Sequence, residues 1–334
     1  MRWASKMSRA AYSEQIRPES DGQAMETPWF AKRPVSAVRP GDHGWLAYTG
    51  PEERDRVIGP FLREGLETDE KVVYVTDVPA DRLPGIGPGI GPDIDIDACV
   101  RSGRLRVISR RDACLDRRGA FAPAMMIDTI GREVGGAFDQ GFRAVRLTTD
   151  YSWLLHEPAS TPLGRMLGCE HRVGDAVSPS TMAMAICQID RRACPPGQLT
   201  ALRDTHEVLV EVNPEFDDGI LKIVRTFEPA GLRIEGELDA ARHTVVAETL
   251  ARVAAQRGSV HLDVHLDLSR LGFIDLGGLN LLARHATRLP AEGSLVLDHL
   301  RPNVESVIET VGWHRLPGLA RGAGRGLPKT EDIA

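Results

Sequence analysis

Between residues 37 and 213 the apolar positions follow two rhythms. His43 to Tyr48, Lys71 to Thr76, Arg104 to Ser109, Phe142 to Thr148, Thr181 to Ile189 and His206 to Val212 are short, apolar and mostly rich in β-branched residues. Runs of this length and composition predict strands buried on both faces. Longer segments lie between some of them. Pro51 to Glu67 sets Val57, Ile58, Phe61, Leu62 and Leu66 at helical spacing, and Phe121 to Phe138 carries Met125, Ile127, Ile130 and Val134. Strands alternating with helices predict a mostly parallel sheet covered by helices on both faces.

From Leu221 the pattern changes. Ile223 to Phe227 and Leu232 to Ile234 read as strands joined by a Glu228-Pro229-Ala230-Gly231 hairpin turn. Asp239 precedes Ala240 to Gln256, where Val245, Val246, Leu250, Val253 and Ala254 form one apolar face; the Asp239 side chain is placed to cap that helix. Val260 to Leu268 alternates with period two. A Gly-containing turn then leads to a helix over Gly277 to Arg288, a strand over Leu295 to Leu297 and a helix over Pro302 to Val311, stopped by Gly312. The expected organisation is a flexible tail over 1–36, a first domain over 37–213, an acidic linker over 214–220, a second domain over 221–317 and a flexible tail over 318–334.

Composition narrows the function classes. The chain has 334 residues, 42% hydrophobic and 26% charged, with a formal net charge of −6. That suits two soluble domains and gives no bulk footprint for nucleic acid or an anionic membrane. No apolar run is long enough to span a bilayer, and the N-terminus lacks a secretion signal. Five cysteines without a CxxC pair argue against a disulfide framework, so the cytoplasm is the expected location. The insert Pro84-Gly85-Ile86-Gly87-Pro88-Gly89-Ile90-Gly91-Pro92 reads as a plain loop. Its prolines lack N–H donors, and no Lys, Ser or Thr follows to meet a phosphate.

The stretch Leu266-Asp267-Leu268-Ser269-Arg270-Leu271-Gly272-Phe273-Ile274-Asp275-Leu276-Gly277-Gly278-Leu279, with Gly236-Glu237-Leu238-Asp239 upstream, resembles the signature of STAS (anti-sigma-factor-antagonist) domains. The resemblance covers about 100 residues and implies a mixed sheet with packed helices. It also implies binding to an anti-sigma factor, usually a kinase, through Asp239, Ser269, Asp275, Leu276, Gly277 and Gly278. Asp275 is placed to cap a helix, and two glycines would leave that helix start open to a partner backbone. Regulated relatives carry a phosphorylated Ser where this chain has Gly277, so that switch is chemically absent. Ser269, the nearest hydroxyl, is expected to cap the preceding turn.

The first domain resembles the MEDS domain, a prokaryotic sensory module, through Gly41-Asp42-His43, Phe61-Leu62-Arg63-Glu64-Gly65-Leu66, Ser102-Gly103-Arg104-Leu105, Gly141-Phe142-Arg143-Ala144-Val145-Arg146-Leu147, Tyr151-Ser152-Trp153 and Ile186-Cys187-Gln188-Ile189-Asp190-Arg191-Arg192. This implies a RecA-like three-layer α/β/α core that senses a small molecule without hydrolysing nucleotide. Many relatives place a Cys two residues after the His; here it is Trp45.

Ligands of open α/β sheets collect beyond the carboxyl ends of strands. There the chain offers Asp77, Asp150 and Asp190, with His43, Tyr48 and Trp153 as candidates for the same rim; alternatively each Asp caps its own turn. The loop Thr49-Gly50-Pro51-Glu52-Glu53 opens a helix with two carboxylates and disfavours phosphate. Cys169, Glu170, His171 and His156 match no familiar metal spacing, so neither metal nor cofactor is expected. The expected function is a non-enzymatic signalling regulator. The alternatives are a nucleotide-binding RecA-like enzyme with an accessory STAS domain, or a scaffold without ligand.

Overall fold

The computed structural model describes residues 31–83, 94–155, 161–256, 263–290 and 292–322. Its first seven strands are β1 (Ala31–Pro34), β2 (His43–Tyr48), β3 (Lys71–Val75), β4 (Leu105–Ile108), β5 (Val145–Asp150), β6 (Ala183–Asp190) and β7 (Val208–Glu211). They form one sheet in the order β1-β7-β2-β6-β5-β3-β4, every neighbouring pair parallel. The helices are α1 (Pro51–Glu67), α2 (Ile96–Arg101), α3 (Arg110–Cys114), α4 (Pro123–Gly135), α5 (Leu163–Ala176) and α6 (Pro196–Arg203).

Side chains along a strand point alternately to opposite faces, and the two faces acquire separate cores. Leu46, Tyr48, Val72 and Tyr74 pack with Val57, Phe61 and Leu62 of α1. Trp45, Val73, Val75, Leu147 and Cys187 pack with residues of α3, α4, α5 and α6. The chain runs outward from β2 to β3 and β4, then returns through β5 and β6. Right-handed crossovers in opposite directions put the helices on opposite faces.

The second sheet contains β8 (Phe216–Asp217), β9 (Leu221–Phe227), β10 (Ala230–Leu238), β11 (Val264–Ile274), β12 (Leu295–Asp298) and β13 (Leu319–Arg321), in the order β13-β12-β11-β10-β9-β8. It is mixed: β10 to β13 pair in parallel, whereas β9 and β8 pair antiparallel. Helices α7 (His243–Gln256), α8 (Leu276–Ala286) and α9 (Pro302–Thr310) complete the domain. Val246, Leu250 and Val253 of α7 and Leu279 and Leu282 of α8 share a core with Ile234, Leu266 and Leu297 of the sheet. Gly231 permits β10 and β11 to close, since a Cβ there would lie 1.9 Å from the His265 carbonyl oxygen.

Several boundaries move. The tail expected through residue 36 gives way from residue 31 to an edge strand, because β1 pairs with β7 and Val35 is buried; residues 1–30 lie outside the described residues. The C-terminal tail expected from residue 318 contributes β13, whereas 323–334 lie outside the description. Residues 214–220 are not a bare linker: Phe216–Asp217 pairs with β9. The turn expected after Leu268 is strand, as β11 continues to Ile274 beside β10. The insert at 84–92, with His156 and residues 257–262, falls outside the described residues.

The domains touch. Val224 of β9 is buried in the α1-side core of the first domain, with Phe227 packed beside it. Arg225 donates to Glu52 at 3.1 Å. The Glu215 carboxylate pairs with Arg56 of α1 at 2.8 Å and with Arg252 of α7 at 3.0 Å.

Candidate functional site

Parallel pairing carries the carboxyl ends of β2, β3, β5 and β6 to one rim. Tyr48 Oη donates to Asp150 Oδ2 at 2.6 Å. Asp150 Oδ1 accepts from Ser152 N and Oγ at 2.9 and 2.6 Å, and Ser152 Oγ accepts from Asp190 N at 2.7 Å. Burial, and after it the charge of Asp150, raises the Tyr48 phenol, so it stays a protonated donor at neutral pH. Asp190 caps the turn over 191–193 and pairs with Arg192 at 2.7 Å. Asp77 accepts from Arg110 N at 2.9 Å, and the Arg110 guanidinium lies 5.0 Å from the Trp153 ring centroid. At the start of α1, Thr49 N and Oγ1 donate to Glu53 Oε2 at 2.7 and 2.8 Å. The chain's own carboxylate thus takes the donors a phosphate would need.

Next to this rim a cleft of about 260 Å³ opens between the domains, lined by Thr49, Glu53, Arg191 and Glu211 on one side and Arg225 and Arg233 on the other. Arg225 is only 5% exposed. Its Nη2 reaches Glu52, whereas its Nε and Nη1 find no acceptor among the described residues. Two buried donors without an acceptor, on a residue that lines the cleft, leave room for an acceptor-bearing ligand.

His43 does not join the rim. It stands at the opposite end of β2, buried with Glu170 of α5, Cys187 of β6 and His206 in the connection from α6 to β7. His43 Nε2 lies 3.3 Å and His206 Nε2 3.1 Å from Glu170 Oε2, and Cys187 Sγ lies 3.4 Å from His43 Nε2. His206 Nδ1 donates to the Leu202 carbonyl at 2.9 Å. Burial alone would raise the Glu170 carboxyl, but His206 and His43 hold it well below the usual carboxylate range. Burial lowers His206 and raises the Cys187 thiol, the latter with help from the Glu170 charge. An apolar pocket of about 20 Å³, room for about one water, adjoins Cys187 and Tyr151.

In the second domain Asp275 ends β11 and caps α8: its Oδ1 accepts from Gly278 N at 2.6 Å and from His243 Nε2 at 2.8 Å. A Cβ on Gly277 would lie 2.4 Å from His243 Cε1, and one on Gly278 would meet Ile274 and Leu238 at 2.9 and 3.2 Å. The glycines therefore make room for the chain's own side chains. Phe273 and Leu276, 51% and 59% exposed, project on either side of the cap. A groove of about 130 Å³ runs beside them, lined by Leu271, Gly272, Phe273, Ile274 and Val304.

Two family models match in tandem. Residues 42–207 match MEDS, the methanogen/methylotroph DcmR sensory domain, and residues 221–319 match the Mlab STAS domain. The chain carries a MEDS domain followed by a STAS domain. No curated protein matches it. Among solved structures, an anti-sigma factor antagonist from Mycobacterium paratuberculosis is 20% identical, covering 36% of this chain and 86% of its own, with a TM-score of 0.25. The flagellar accessory protein FlaH from Methanocaldococcus jannaschii is 11% identical over 60% of this chain and 86% of its own, with a TM-score of 0.36.

In the MEDS domain Tyr48, Asp150 and Asp190 come together through Ser152, and Asp77 and Trp153 meet through Arg110. The expectation that His43 shares their rim is corrected, since it begins β2 while they follow strand ends. Cys169 is a core residue and His171 is exposed on α5, but Glu170 between them joins a constellation that sequence spacing does not reveal. In the STAS domain Asp239 caps residues 240–242, accepting from Ala241 N at 3.2 Å. Ser269 sits inside β11 at a register shift, not in a turn, so its expected capping role is corrected. The expected bare helix start is corrected as well: His243 covers Gly277, and Gly278 is buried.

Proposed function

We propose that this protein is a cytoplasmic signalling regulator, an anti-sigma-factor antagonist whose STAS domain binds a kinase-type anti-sigma factor while the MEDS domain senses a small molecule. The observation that carries this reading is the pair of large apolar side chains, Phe273 and Leu276, held out to solvent around a tightly capped helix start. Exposed apolar residues on a rigid element are what a protein partner buries, and a few such anchors dominate binding energy. The STAS family match supports a regulatory binding role for this surface.

Control through a phosphate at residue 277 has no chemical basis, because glycine has no hydroxyl. The interdomain cleft offers another route. A small acceptor-bearing molecule seated at Arg225 would touch both domains, and a ligand that favours one arrangement of the two shifts the population towards it. Nothing in the loop at Thr49 favours nucleotide, whose place Glu53 takes.

The test is calorimetric titration of the full chain with the purified anti-sigma kinases of the same organism. Saturable binding to one of them is expected, weakened about thirtyfold or more by Leu276→Arg, the effect of losing one hot-spot contact. Binding to none, or binding that Leu276→Arg leaves unchanged, contradicts the reading. ATP turnover by the full chain supports the enzyme alternative instead.

A further inference from the structure

We propose that His43, Glu170, Cys187 and His206 form a buried zinc site that ties β2, α5, β6 and the connection from α6 to β7 together in the MEDS domain. The four candidate ligand atoms all lie within 4.8 Å of one another, and all four residues are buried. In a tetrahedral zinc site, bonds of about 2.0–2.3 Å put neighbouring ligand atoms roughly 3.3–3.6 Å apart. The separations of 3.1, 3.3 and 3.4 Å around Glu170 Oε2, His43 Nε2 and Cys187 Sγ already approach that spacing. Small side-chain rotations would close the rest.

Hydrogen bonding accounts for the Cys187–His43 contact but not for Glu170 and His206. Glu170 is 1% exposed, yet neither of its carboxylate oxygens receives a hydrogen bond of acceptable geometry, and His206 Nε2 has no hydrogen-bond partner either. His206 Nδ1 faces a carbonyl oxygen, which only accepts, so the proton of a neutral ring sits there and the Nε2 lone pair faces the carboxylate. Two acceptors 3.1 Å apart in a buried interior repel unless a proton or a metal cation lies between them, and the missing hydrogen-bond geometry favours the metal. A ligand histidine that donates its other ring nitrogen to a backbone carbonyl is the usual support of a metal site.

Charge and ligand type select the ion. A thiolate and a carboxylate together neutralise a divalent cation, so the loaded site carries no net charge into the core. Two imidazoles, one thiolate and one carboxylate suit zinc, whereas calcium and magnesium need more oxygen ligands. Four protein ligands close the coordination sphere, as in structural sites. This inference stands independently of the partner proposed for the STAS domain.

The untagged full chain, stripped with a chelator and then dialysed against zinc or cobalt(II) alone, provides the test. One equivalent of zinc per chain and a raised melting temperature are expected. The cobalt form should show a thiolate-to-cobalt charge-transfer band together with the strong visible absorption of four-coordinate cobalt. Cys187→Ser should abolish the charge-transfer band, and Glu170→Gln, which keeps side-chain size, should remove the zinc-dependent rise in melting temperature. A wild-type chain that takes up no metal, or whose cobalt form lacks the charge-transfer band, overturns the proposal whether or not the variants fold. Retention of that band by Cys187→Ser overturns it too.

Discussion

Asp275 has two local duties: it accepts the Gly278 N–H and orients His243. The bond from Gly278 is the main reason its carboxyl lies below the ordinary value, with His243 adding to the effect. A carboxyl whose folded value is depressed stabilises the fold above its unfolded value of about 3.9, and that contribution is lost as pH falls through the lower folded value. Asp275→Ala should therefore melt below wild type at neutral pH, with the gap narrowing as pH drops below about 4. Melting curves from pH 7 to pH 3 check this, and a gap of constant size would contradict it. The capping role was legible because Asp before a helix has one dominant use. The role of Gly277 was not, since the residue that fills its space, His243, comes from another helix. The same limit hid Glu170, whose partners sit 127, 17 and 36 positions away in the chain.

Elements with a clear apolar pattern were readable: His43–Tyr48, buried on both faces, and Pro51–Glu67, buried on one, appear with the boundaries their patterns predict. Helix α5 was not foreseen. Its burial is confined to Met166, Cys169, Glu170 and Val173, too short a stripe around a charged residue to announce itself. Strand β11 was foreseen too short, because Ser269, Arg270 and Gly272 look like a turn until β10 is placed beside them. Gly231 was assigned to a hairpin turn, yet its larger constraint is the close approach of β11. Adding a methyl group there drives it into backbone, which cannot rotate away. Gly231→Ala should cost about 3 kcal/mol or more, the upper end of overpacking penalties. Urea denaturation measures it, and a loss below about 1 kcal/mol would mean that the two strands can separate freely.

At the scale of the molecule, the alternation of strands and helices announced two α/β domains and a parallel first sheet. Strand order was not accessible, because parallel neighbours are chosen by crossovers that skip strands; β2 lies between β7 and β6, not beside β3. That order lets the His43 side chain reach Cys187 on the neighbouring β6 and sends the five rim residues to the opposite edge, near the cleft and Arg225. The account then assigns separate tasks to separate places: a buried cluster that stiffens the MEDS domain, a cleft that reports to both domains, and an apolar STAS surface that meets the partner. The last of these is central. Hydrogen–deuterium exchange of the full chain, with and without the anti-sigma kinase proposed as its partner, tests it most directly. Slowed exchange centred on residues 271–283 is the predicted result. Protection confined to the MEDS domain, with that segment exchanging as in the chain alone, would contradict it.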